Sequence, residues 1–310
     1  MKPIVTLTFN PAIDGASEAE VIRPTRKIRT RNERYDPGGG GINVARVIGE
    51  LGRPALPIYL GGGATGAVLD DLVASRGLQP HRIAIRDHTR ISQAVYEQST
   101  GLEYRFVPEG PLIRDDEWPG VLTALDALDF DFCVASGSLP RGVPDDIYVE
   151  VGRIVARKGA RLILDTSGAA LKAAVAAGGL YLVKPSLGEF EALAGRELRD
   201  ERAQEEEALA IVRSGSVDIL AVSLGHEGAV LATRDGVRRL RPPDVVARSA
   251  VGAGDSFVGA MTFALAEGRS AEDAFVLGVA AGSAAVLTPG TELCRKEDVW
   301  RLYDALKAQG

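Results

Sequence analysis

The chain has very few of the residues that build disulfide frameworks, metal centres and membrane spans. Its 310 residues include two cysteines, Cys133 and Cys294, which are too far apart for a metal-binding motif. Cys133 lies in an apolar run typical of a buried strand. No apolar stretch is long enough to cross a bilayer, and the amino end lacks the apolar region of a signal peptide. We therefore expect a soluble, cytoplasmic protein with no membrane partner.

Several nucleotide-binding motifs are also absent. There is no Gly-x-x-x-x-Gly-Lys-Ser/Thr sequence, which excludes a Walker A loop. The first predicted strand leads into Asn-Pro-Ala-Ile-Asp-Gly at 10–15 instead of Gly-x-Gly-x-x-Gly, which argues against a dinucleotide-dependent dehydrogenase. Protein-kinase signatures are missing as well. The net charge of −6 does not favour nucleic acid, so an anionic ligand would need a local cluster of cations.

What the chain does contain is a regular alternation of short apolar runs and helical patterns. Strands are predicted at 4–9, 56–60, 132–136, 162–165, 181–184 and 219–223, and a hairpin around 234–237. Helices are predicted at 41–51, near 68–73, and at 144–158, 169–177, 205–213 and 255–265. The strands are continuously apolar, as expected when helices cover both faces of a sheet. The pattern predicts a doubly wound α/β fold with a mostly parallel sheet.

Two segments interrupt this alternation. Residues 18–35 and 91–108 alternate polar and apolar side chains without room for helices, and Ser-Thr-Gly-Leu at 99–102 is typical of a hairpin connection. We interpret the two segments as a small antiparallel sheet that serves as a lid, a dimer surface or both. Arg90 begins the second segment and Arg105 lies across its hairpin. Surface arginines are usually solvated, but a guanidinium is also the preferred fork for a phosphate.

The stretch with the most chemical content is Val-Gly-Ala-Gly-Asp-Ser-Phe at 251–257, where a glycine-rich turn enters a helix. Gly252 and Gly254 stand at the helix entrance, where free N–H groups and the positive end of the helix dipole attract anions. Asp255 at the same place has two interpretations. It can cap the helix, or it can act as a base beside a bound phosphate.

A second glycine-rich element, Asp-Pro-Gly-Gly-Gly-Gly-Ile-Asn-Val-Ala, occupies 36–45. Four consecutive glycines are costly in conformational entropy, and they suit either a flexible hinge or a backbone that closely approaches a ligand. Asn43 adds a side-chain amide at the start of the following helix. This combination of donors and acceptors favours a hydroxyl-rich ligand.

Polar residues also follow two predicted strands at their carboxyl ends, where α/β folds form ligand crevices. Asp14 follows the first strand, although a lone aspartate there is most often a turn residue. Lys184, Ser186 and Glu189 follow a later strand. They suit either nucleotide phosphates and magnesium, or an ordinary turn with a Ser–Glu capping box.

Taken together, these stretches resemble the ribokinase-like sugar kinases of the PfkB family over essentially the whole chain. The glycine signatures at 38–45 and 251–257, in this order and at this separation, carry the resemblance. The opening Thr-Leu-Thr-Phe-Asn-Pro-Ala-Ile-Asp at 6–14 is similar to the phosphosugar-kinase branch, as are 136–140 and 278–285. The four-glycine run is most similar to that of the minor 6-phosphofructokinases. The 1-phosphofructokinase and tagatose-6-phosphate kinase branches usually carry a lysine there.

The resemblance implies one three-layer α/β/α domain over residues 1–310, with a small antiparallel β lid from inserted segments of about 15–36 and 90–108. It implies ATP-dependent phosphorylation of the C1 hydroxyl of fructose 6-phosphate in glycolysis, with ATP, Mg²⁺ and K⁺ required and a homodimer formed through the lids. The near alternatives are fructose 1-phosphate and tagatose 6-phosphate as substrates. An alternative of another class is a non-catalytic sugar-phosphate or nucleotide sensor, but a sensor has no need of Asp255 as a base.

The same resemblance implies roles for individual residues. Asp255 would take the proton of the sugar hydroxyl, and the N–H groups of Gly252, Ala253 and Gly254 would bind the charge on the transferring phosphoryl group. The implied phosphosugar ligands are Asp14, Lys27, Arg29, Gly39, Gly40, Gly41, Asn43, Arg90, Arg105 and Ser138. The implied nucleotide ligands are Lys184, Ser186, Ser223, Gly225, Gly228, Gly254 and Ser283. The implied metal ligands are Glu189 for Mg²⁺, through water, and Ser249, Val251, Ala285, Thr288 and Gly290 for a monovalent cation.

One position departs from the family pattern. The family usually has Asn-x-x-Glu after the lysine at 184, but Ser186 stands in place of the asparagine while Glu189 remains. Because serine is shorter and lacks the amide, we expect its water-mediated hold on magnesium to differ.

Overall fold

A computed structural model describes residues 2–243 and 245–308. The strands are β1 (Ile4–Thr8), β2 (Ala12–Ala19), β3 (Arg31–Gly38), β4 (Ala55–Gly62), β5 (His81–Ile85), β6 (Arg90–Glu97), β7 (Leu102–Phe106), β8 (Phe132–Ser136), β9 (Arg161–Asp165), β10 (Leu180–Val183), β11 (Val217–Ser223), β12 (Ala229–Thr233) and β13 (Gly236–Leu240). The helices are α1 (Gly40–Leu51), α2 (Gly63–Ser75), α3 (Pro119–Ala127), α4 (Ile147–Arg157), α5 (Gly168–Ala177), α6 (Leu187–Ala194), α7 (Glu201–Arg213), α8 (Ala253–Ala266), α9 (Ala271–Ala285) and α10 (Lys296–Lys307). None of these helices, within the two described ranges, is long and apolar enough to cross a membrane.

The main sheet has nine strands in the order β13-β12-β11-β10-β9-β8-β1-β4-β5. All neighbouring strands from β11 to β5 pair in parallel, whereas β12 and β13 form the predicted hairpin and pair antiparallel. The chain builds outward from β1 through β4 to β5, and it then returns to place β8 on the other side of β1. This reversal creates a crevice at the carboxyl ends of β1 and β8. The predicted doubly wound, mostly parallel sheet is confirmed.

The central strands of this sheet are apolar on both faces because two helical layers cover them. In β8, Cys133 and Ala135 pack with the layer of α3 to α7, whereas Phe132 and Val134 pack with α1, α8, α9 and α10. Side chains alternate between the faces of a strand, so consecutive residues enter different cores. Each large aliphatic side chain buried in this way contributes about 2 kcal/mol relative to exposure. The predicted three-layer α/β/α architecture is confirmed.

The lid is a separate sheet with the strand order β3-β2-β6-β7. The β2–β3 and β6–β7 pairs are antiparallel, as predicted, and a parallel β2–β6 ladder joins them. Strand β2 begins at Ala12, earlier than the predicted boundary near 15, because Ala12 already pairs with both Gly38 and Arg90. Asp14 therefore lies inside a lid strand instead of in a turn.

Candidate active site

A cavity of about 320 Å³ lies where the lid faces the carboxyl ends of the central strands. Strands β2, β6 and β7, the ends of β8 and β9, and the starts of α1 and α8 contribute to its wall. The predicted site residues that line it are Asp14, Gly39, Gly40, Asn43, Arg90, Arg105, Ser138, Glu189, Val251, Gly252 and Asp255. The fold thus brings both glycine signatures and the lid arginines to one crevice, at the switch point of the sheet.

The four-glycine run is packed tightly against its neighbours. A Cβ atom on Gly38 would overlap the Asp14 carboxylate, and one on Gly40 would overlap the hydroxyl of Ser136. Gly39 precedes α1 with a φ of 104°, in the region that favours glycine. Gly41 is held against the main chain of β1 and does not line the cavity. Close approach of the backbone, rather than a hinge, accounts for this run.

Asp255 lies in the first turn of α8. This helix begins directly after Gly252, whose φ of 73° is left-handed. Its Oδ2 accepts a hydrogen bond of 2.9 Å from Nδ2 of Asn43. Within the described residues, the Asp255 carboxylate accepts no backbone N–H, so the structure does not support the capping interpretation. Burial, and then the neighbouring Asp165, raise the pKa of Asp255 to about 7, while Asn43 and Lys184 oppose this rise. A base of this pKa is well matched to proton transfer near neutral pH.

The sequence reasoning missed Asp165, which ends β9 and lines the cavity. Its Oδ1 lies 3.1 Å from Nζ of Lys184, and its Oδ2 accepts a hydrogen bond of 3.2 Å from Ser136. Burial alone would lower the pKa of Lys184, but Asp165 holds that pKa above its usual value. The sequence feature that could have identified Asp165 is its position at the carboxyl end of an apolar strand. Other polar lining residues that were missed are Ser92, Gln93, Ser136, Thr166, Ser167 and Thr291.

The lid supplies an aspartate and two arginines to the cavity. Burial raises the pKa of Asp14, and the charges of Arg90, Arg46 and Arg105 oppose this rise. The Arg90 guanidinium donates hydrogen bonds of 2.8 Å to the carbonyls of residues 10 and 108 and one of 3.4 Å to the carbonyl of residue 11. Since arginine has five N–H donors, about two of them remain for a ligand. Arg90 thus joins the end of β1 to the lid while facing the cavity.

Two predicted phosphosugar ligands lie away from this cavity. Lys27 and Arg29 belong to the exposed segment that connects β2 with β3, and they do not line the cavity of their own chain. The connection leaves the lid at the end farthest from Asp14, which accounts for this separation.

Most of the predicted nucleotide ligands lie beside the cavity, at the carboxyl ends of β10 and β11, whereas Gly254 belongs to α8 and Ser283 to α9. Ser186 and Ser223 form a parallel bridge, in which the Ser223 N–H donates to the Pro185 carbonyl at 3.0 Å. The Nζ of Lys184 lies close to the start of α8, as a Cβ atom placed on Gly254 would be 3.4 Å from that nitrogen. Gly225 begins a single 3-10 turn after β11, and Gly228 follows that turn. The hydroxyl of Ser283 donates within α9, to the carbonyl of residue 279 at 2.8 Å.

Ser186 and Glu189 form the capping box that was one of their two interpretations. The Ser186 N–H donates to Oε2 of Glu189 at 2.7 Å, and the Glu189 N–H donates to Oγ of Ser186 at 3.4 Å. Glu189 also lines the cavity, as Asp165 does. Within the described part of the chain, no three His, Cys, Asp or Glu side chains form a ready-made metal cluster. Two carboxylates at one cavity nevertheless suit a largely hydrated Mg²⁺.

The two segments predicted to hold a monovalent cation are adjacent. The Arg248 N–H donates to the Val286 carbonyl at 2.7 Å, which joins the stretch containing Ser249 to the end of α9. The Ala285 carbonyl already accepts the N–H of Thr288 at 3.1 Å and its hydroxyl at 2.7 Å. A cation at that carbonyl would therefore compete with both bonds.

Comparison with known proteins agrees with this geometry. Residues 7–298 match the family described as pfkB family carbohydrate kinase. The chain belongs to the pfkB family. A pfkB relative, the ATP-dependent 6-phosphofructokinase isozyme 2 of Mycobacterium tuberculosis strain H37Rv, is 42% identical over 303 residues, which cover 97% of this chain and 89% of that protein. The protein of the same name from Escherichia coli strain K12 is 41% identical over 304 residues, 98% of either chain.

Solved structures of the pfkB family share the fold. Phosphofructokinase-2 from Escherichia coli in complex with potassium has a TM-score of 0.95 and 40% identity, covering 99% of this chain and 100% of that one. Other structures of the same protein contain fructose-6-phosphate, with a TM-score of 0.91 and 39% identity, or are described as a tetrameric inhibited form. The resemblance seen in the sequence and the ribokinase-like fold are confirmed.

Proposed function

We propose that this chain is an ATP-dependent kinase that phosphorylates the C1 hydroxyl of fructose 6-phosphate, giving fructose 1,6-bisphosphate and ADP. The observation that carries the proposal is the position of the Asp255 carboxylate. It lies at the start of α8, accepts a hydrogen bond from Asn43 and faces the lid across one cavity. The identity to two 6-phosphofructokinases over nearly the full chain supports this choice of substrate.

In the proposed reaction Asp255 accepts the proton of the C1 hydroxyl as that oxygen attacks the γ-phosphorus of ATP. The bond between the γ-phosphorus and the bridging oxygen breaks, and the leaving ADP keeps that electron pair. The raised pKa of Asp255 supports this role, because a carboxylate with a pKa of about 7 is a stronger base than an exposed one.

The start of α8 would stabilise the charge on the transferring phosphoryl group. In the described chain, the N–H groups of Gly252 and Gly254 have no protein acceptor, and that of Ala253 is 3.5 Å from the Ala250 carbonyl. The donors of Gly252 and Gly254 lie at the positive end of the helix, so they are available to an anion without rearrangement.

The phosphosugar would lie between the lid and the four-glycine run. Asp14, Asn43 and the glycine main chain offer acceptors and donors for sugar hydroxyls. Arg90 and Arg105 would hold the 6-phosphate, since they are the arginines in the cavity wall and a guanidinium matches phosphate geometry. Lys27 and Arg29 remain candidates for this phosphate only if the 20–30 segment or a second chain brings them closer.

ATP would extend from α8 along Lys184, Ser186, Ser223, Gly225, Gly228 and Ser283. Mg²⁺ would neutralise phosphate charge when bound, held through water by Glu189, with Asp165 close by. K⁺ would be held by the carbonyls of 249, 251, 285, 288 and 290, and the potassium complex of the Escherichia coli relative supports the choice of this ion.

The proposed assembly is a homodimer formed through the lids. All residues of β7 are exposed, including the apolar Leu102 and Phe106, and β7 is an edge strand. An exposed apolar edge favours pairing with another chain. We place the protein in the cytoplasm, which is supported by ATP as substrate and by the two buried, unpaired cysteines.

The test is ADP release by the purified chain with ATP and each of three phosphoketoses at equal concentration. We expect kcat/KM for fructose 6-phosphate to exceed that for fructose 1-phosphate and tagatose 6-phosphate by about tenfold or more. ADP release without sugar is the control. A higher kcat/KM for either competitor would contradict the proposed substrate, and no release with any of the three would favour the sensor.

A further inference from the structure

The amide of Asn43 sits between two charged groups of opposite sign. Its Nδ2 donates to Asp255 at 2.9 Å, and its Oδ1 accepts a hydrogen bond of 3.0 Å from the guanidinium of Arg46. Asn43 and Arg46 are three positions apart on α1, so their side chains lie on the same helix face. The two contacts use the donor end and the acceptor end of one planar group.

These contacts determine which way the amide points. If the Asn43 amide turned over, its oxygen would face the Asp255 carboxylate and its NH₂ group would face the Arg46 guanidinium. Both contacts would then be repulsive, because two acceptors would meet at one end and two donors at the other. The guanidinium thus holds the amide in the one orientation that supplies a donor to the base.

Arg46 is itself held rigidly. The nitrogen that binds Asn43 also donates to the Pro37 carbonyl at 2.9 Å, and the other terminal nitrogen lies 3.4 Å from Oδ1 of Asp36. Asp36 is completely buried, and Arg76 also contacts its Oδ1. The Arg46 side chain is only 9% exposed, its contacts with Pro37 and Asp36 tie it to the lid strand β3, and it makes no hydrogen bond to Asp255 in the described residues.

We infer that Arg46 is a positioning residue for the phosphoryl transfer, which acts by fixing the amide of Asn43 so that its NH₂ group faces the base Asp255. The inference rests on the proposed function, since it assigns Arg46 to the same reaction. It concerns a residue outside the cavity wall, whose hydrogen-bonded link to the base, within the described residues, runs through Asn43.

The test compares Arg46→Met with Arg76→Met in the fructose 6-phosphate assay. We expect kcat/KM for the phosphosugar to fall about tenfold or more in Arg46→Met, with the KM for ATP unchanged, because the amide facing the sugar and base loses its restraint. Arg76→Met is the matched control, because it removes another arginine from the same Asp36 oxygen without touching Asn43. We expect its kcat/KM to stay within about twofold of the unsubstituted chain.

A double-mutant cycle separates positioning from general loss of structure. If Arg46 acts through Asn43, Asn43→Ala combined with Arg46→Met should lower kcat by the same factor, within about twofold, as Asn43→Ala alone. Multiplicative effects would overturn the inference. Arg46→Lys replaces Arg46→Met in this test if Arg46→Met fails to fold. Lysine retains a cation beside Asp36 but lacks the planar fork of arginine. We therefore expect kcat to fall about tenfold while the melting temperature stays close to that of the unsubstituted chain.

The outcomes separate the two proposals. Absence of turnover in the unsubstituted chain would contradict the proposed function. Turnover in that chain together with unaltered kcat/KM in a folded Arg46 variant would overturn only the role of Arg46. An equal loss in Arg46→Met and Arg76→Met would also overturn that role, because it would trace the effect to Asp36.

Discussion

Asp255 combines two properties that a general base needs, which are a raised pKa and a neighbour that fixes its orientation. Asp255→Asn keeps the size of the side chain but cannot accept the proton. We expect kcat to fall about 10²- to 10⁴-fold while ATP still binds, as measured by steady-state kinetics and nucleotide titration. Asp273→Asn, in the first turn of the neighbouring helix α9, is the control and should change kcat little. Retention of most of the kcat by Asp255→Asn would disprove the assigned role.

The pH dependence follows from the same residue. Since the ionised carboxylate is the active form in the proposed reaction, kcat/KM for fructose 6-phosphate should fall as the pH drops below about 7. The hydrogen bond from Asn43 lowers the pKa of Asp255, so Asn43→Ala should move this acid limb to higher pH. The phosphate of the substrate titrates identically in the assays of both proteins, so a difference between their acid limbs reports on Asp255. A limb at the same pH in both would contradict the assignment to Asp255.

At the scale of secondary-structure elements, the start of α6 serves both stability and the cavity. Ser186 accepts the N–H of Glu189 and completes a capping box, whereas Ser167 at the start of α5 makes no such side-chain bond. We expect Ser186→Ala to lower the free energy of unfolding by about 1 kcal/mol, and Ser167→Ala to change it much less. Denaturant unfolding of both variants measures this difference. Equal losses of unfolding free energy in the two variants would show that the capping box adds nothing to stability.

The lid illustrates how an element can be recognised while its limits are missed. Its polar–apolar alternation and the Ser-Thr-Gly turn identified β6 and β7 correctly. The start of β2 was missed, because Ala12 and Ile13 become strand residues through pairing with β3 and β6 at once. Gly38 and Arg90, the residues that pair with Ala12, are distant from it in sequence, so local periodicity carries no sign of this pairing.

At the scale of the whole molecule, the exposed strand β7 is the surface through which we propose that two chains assemble. Phe106 is 59% exposed at the end of this edge strand, and a charge there would be buried unpaired in a lid-to-lid dimer. We expect Phe106→Asp to shift the sedimentation coefficient from that of a dimer to that of a monomer. Val246→Asp, at a position that is 86% exposed and outside the lid, should leave assembly unchanged. A monomeric, fully active unsubstituted chain would contradict the proposed dimer.

The sequence by itself determined the architecture and the location of the chemistry. Continuous apolar strands between amphipathic helices specify a covered parallel sheet, and the glycine signatures specify two helix entrances where a backbone can approach a ligand. These are local properties, and each can be read within one segment. They suffice to identify the pfkB family and to single out Asp255, the feature on which the proposed reaction depends.

Only the tertiary structure decided which polar groups surround that carboxylate. Asp165 becomes its neighbour because β9 ends at the same sheet edge as β8, and Asn43 reaches it because α1 packs beside α8. Lys27 and Arg29 lie away from the cavity for a comparable reason, since the segment that connects β2 with β3 extends from the far end of the lid. Such relations join distant parts of the chain, and they arise from the order in which strands pair and helices pack, which no single segment encodes.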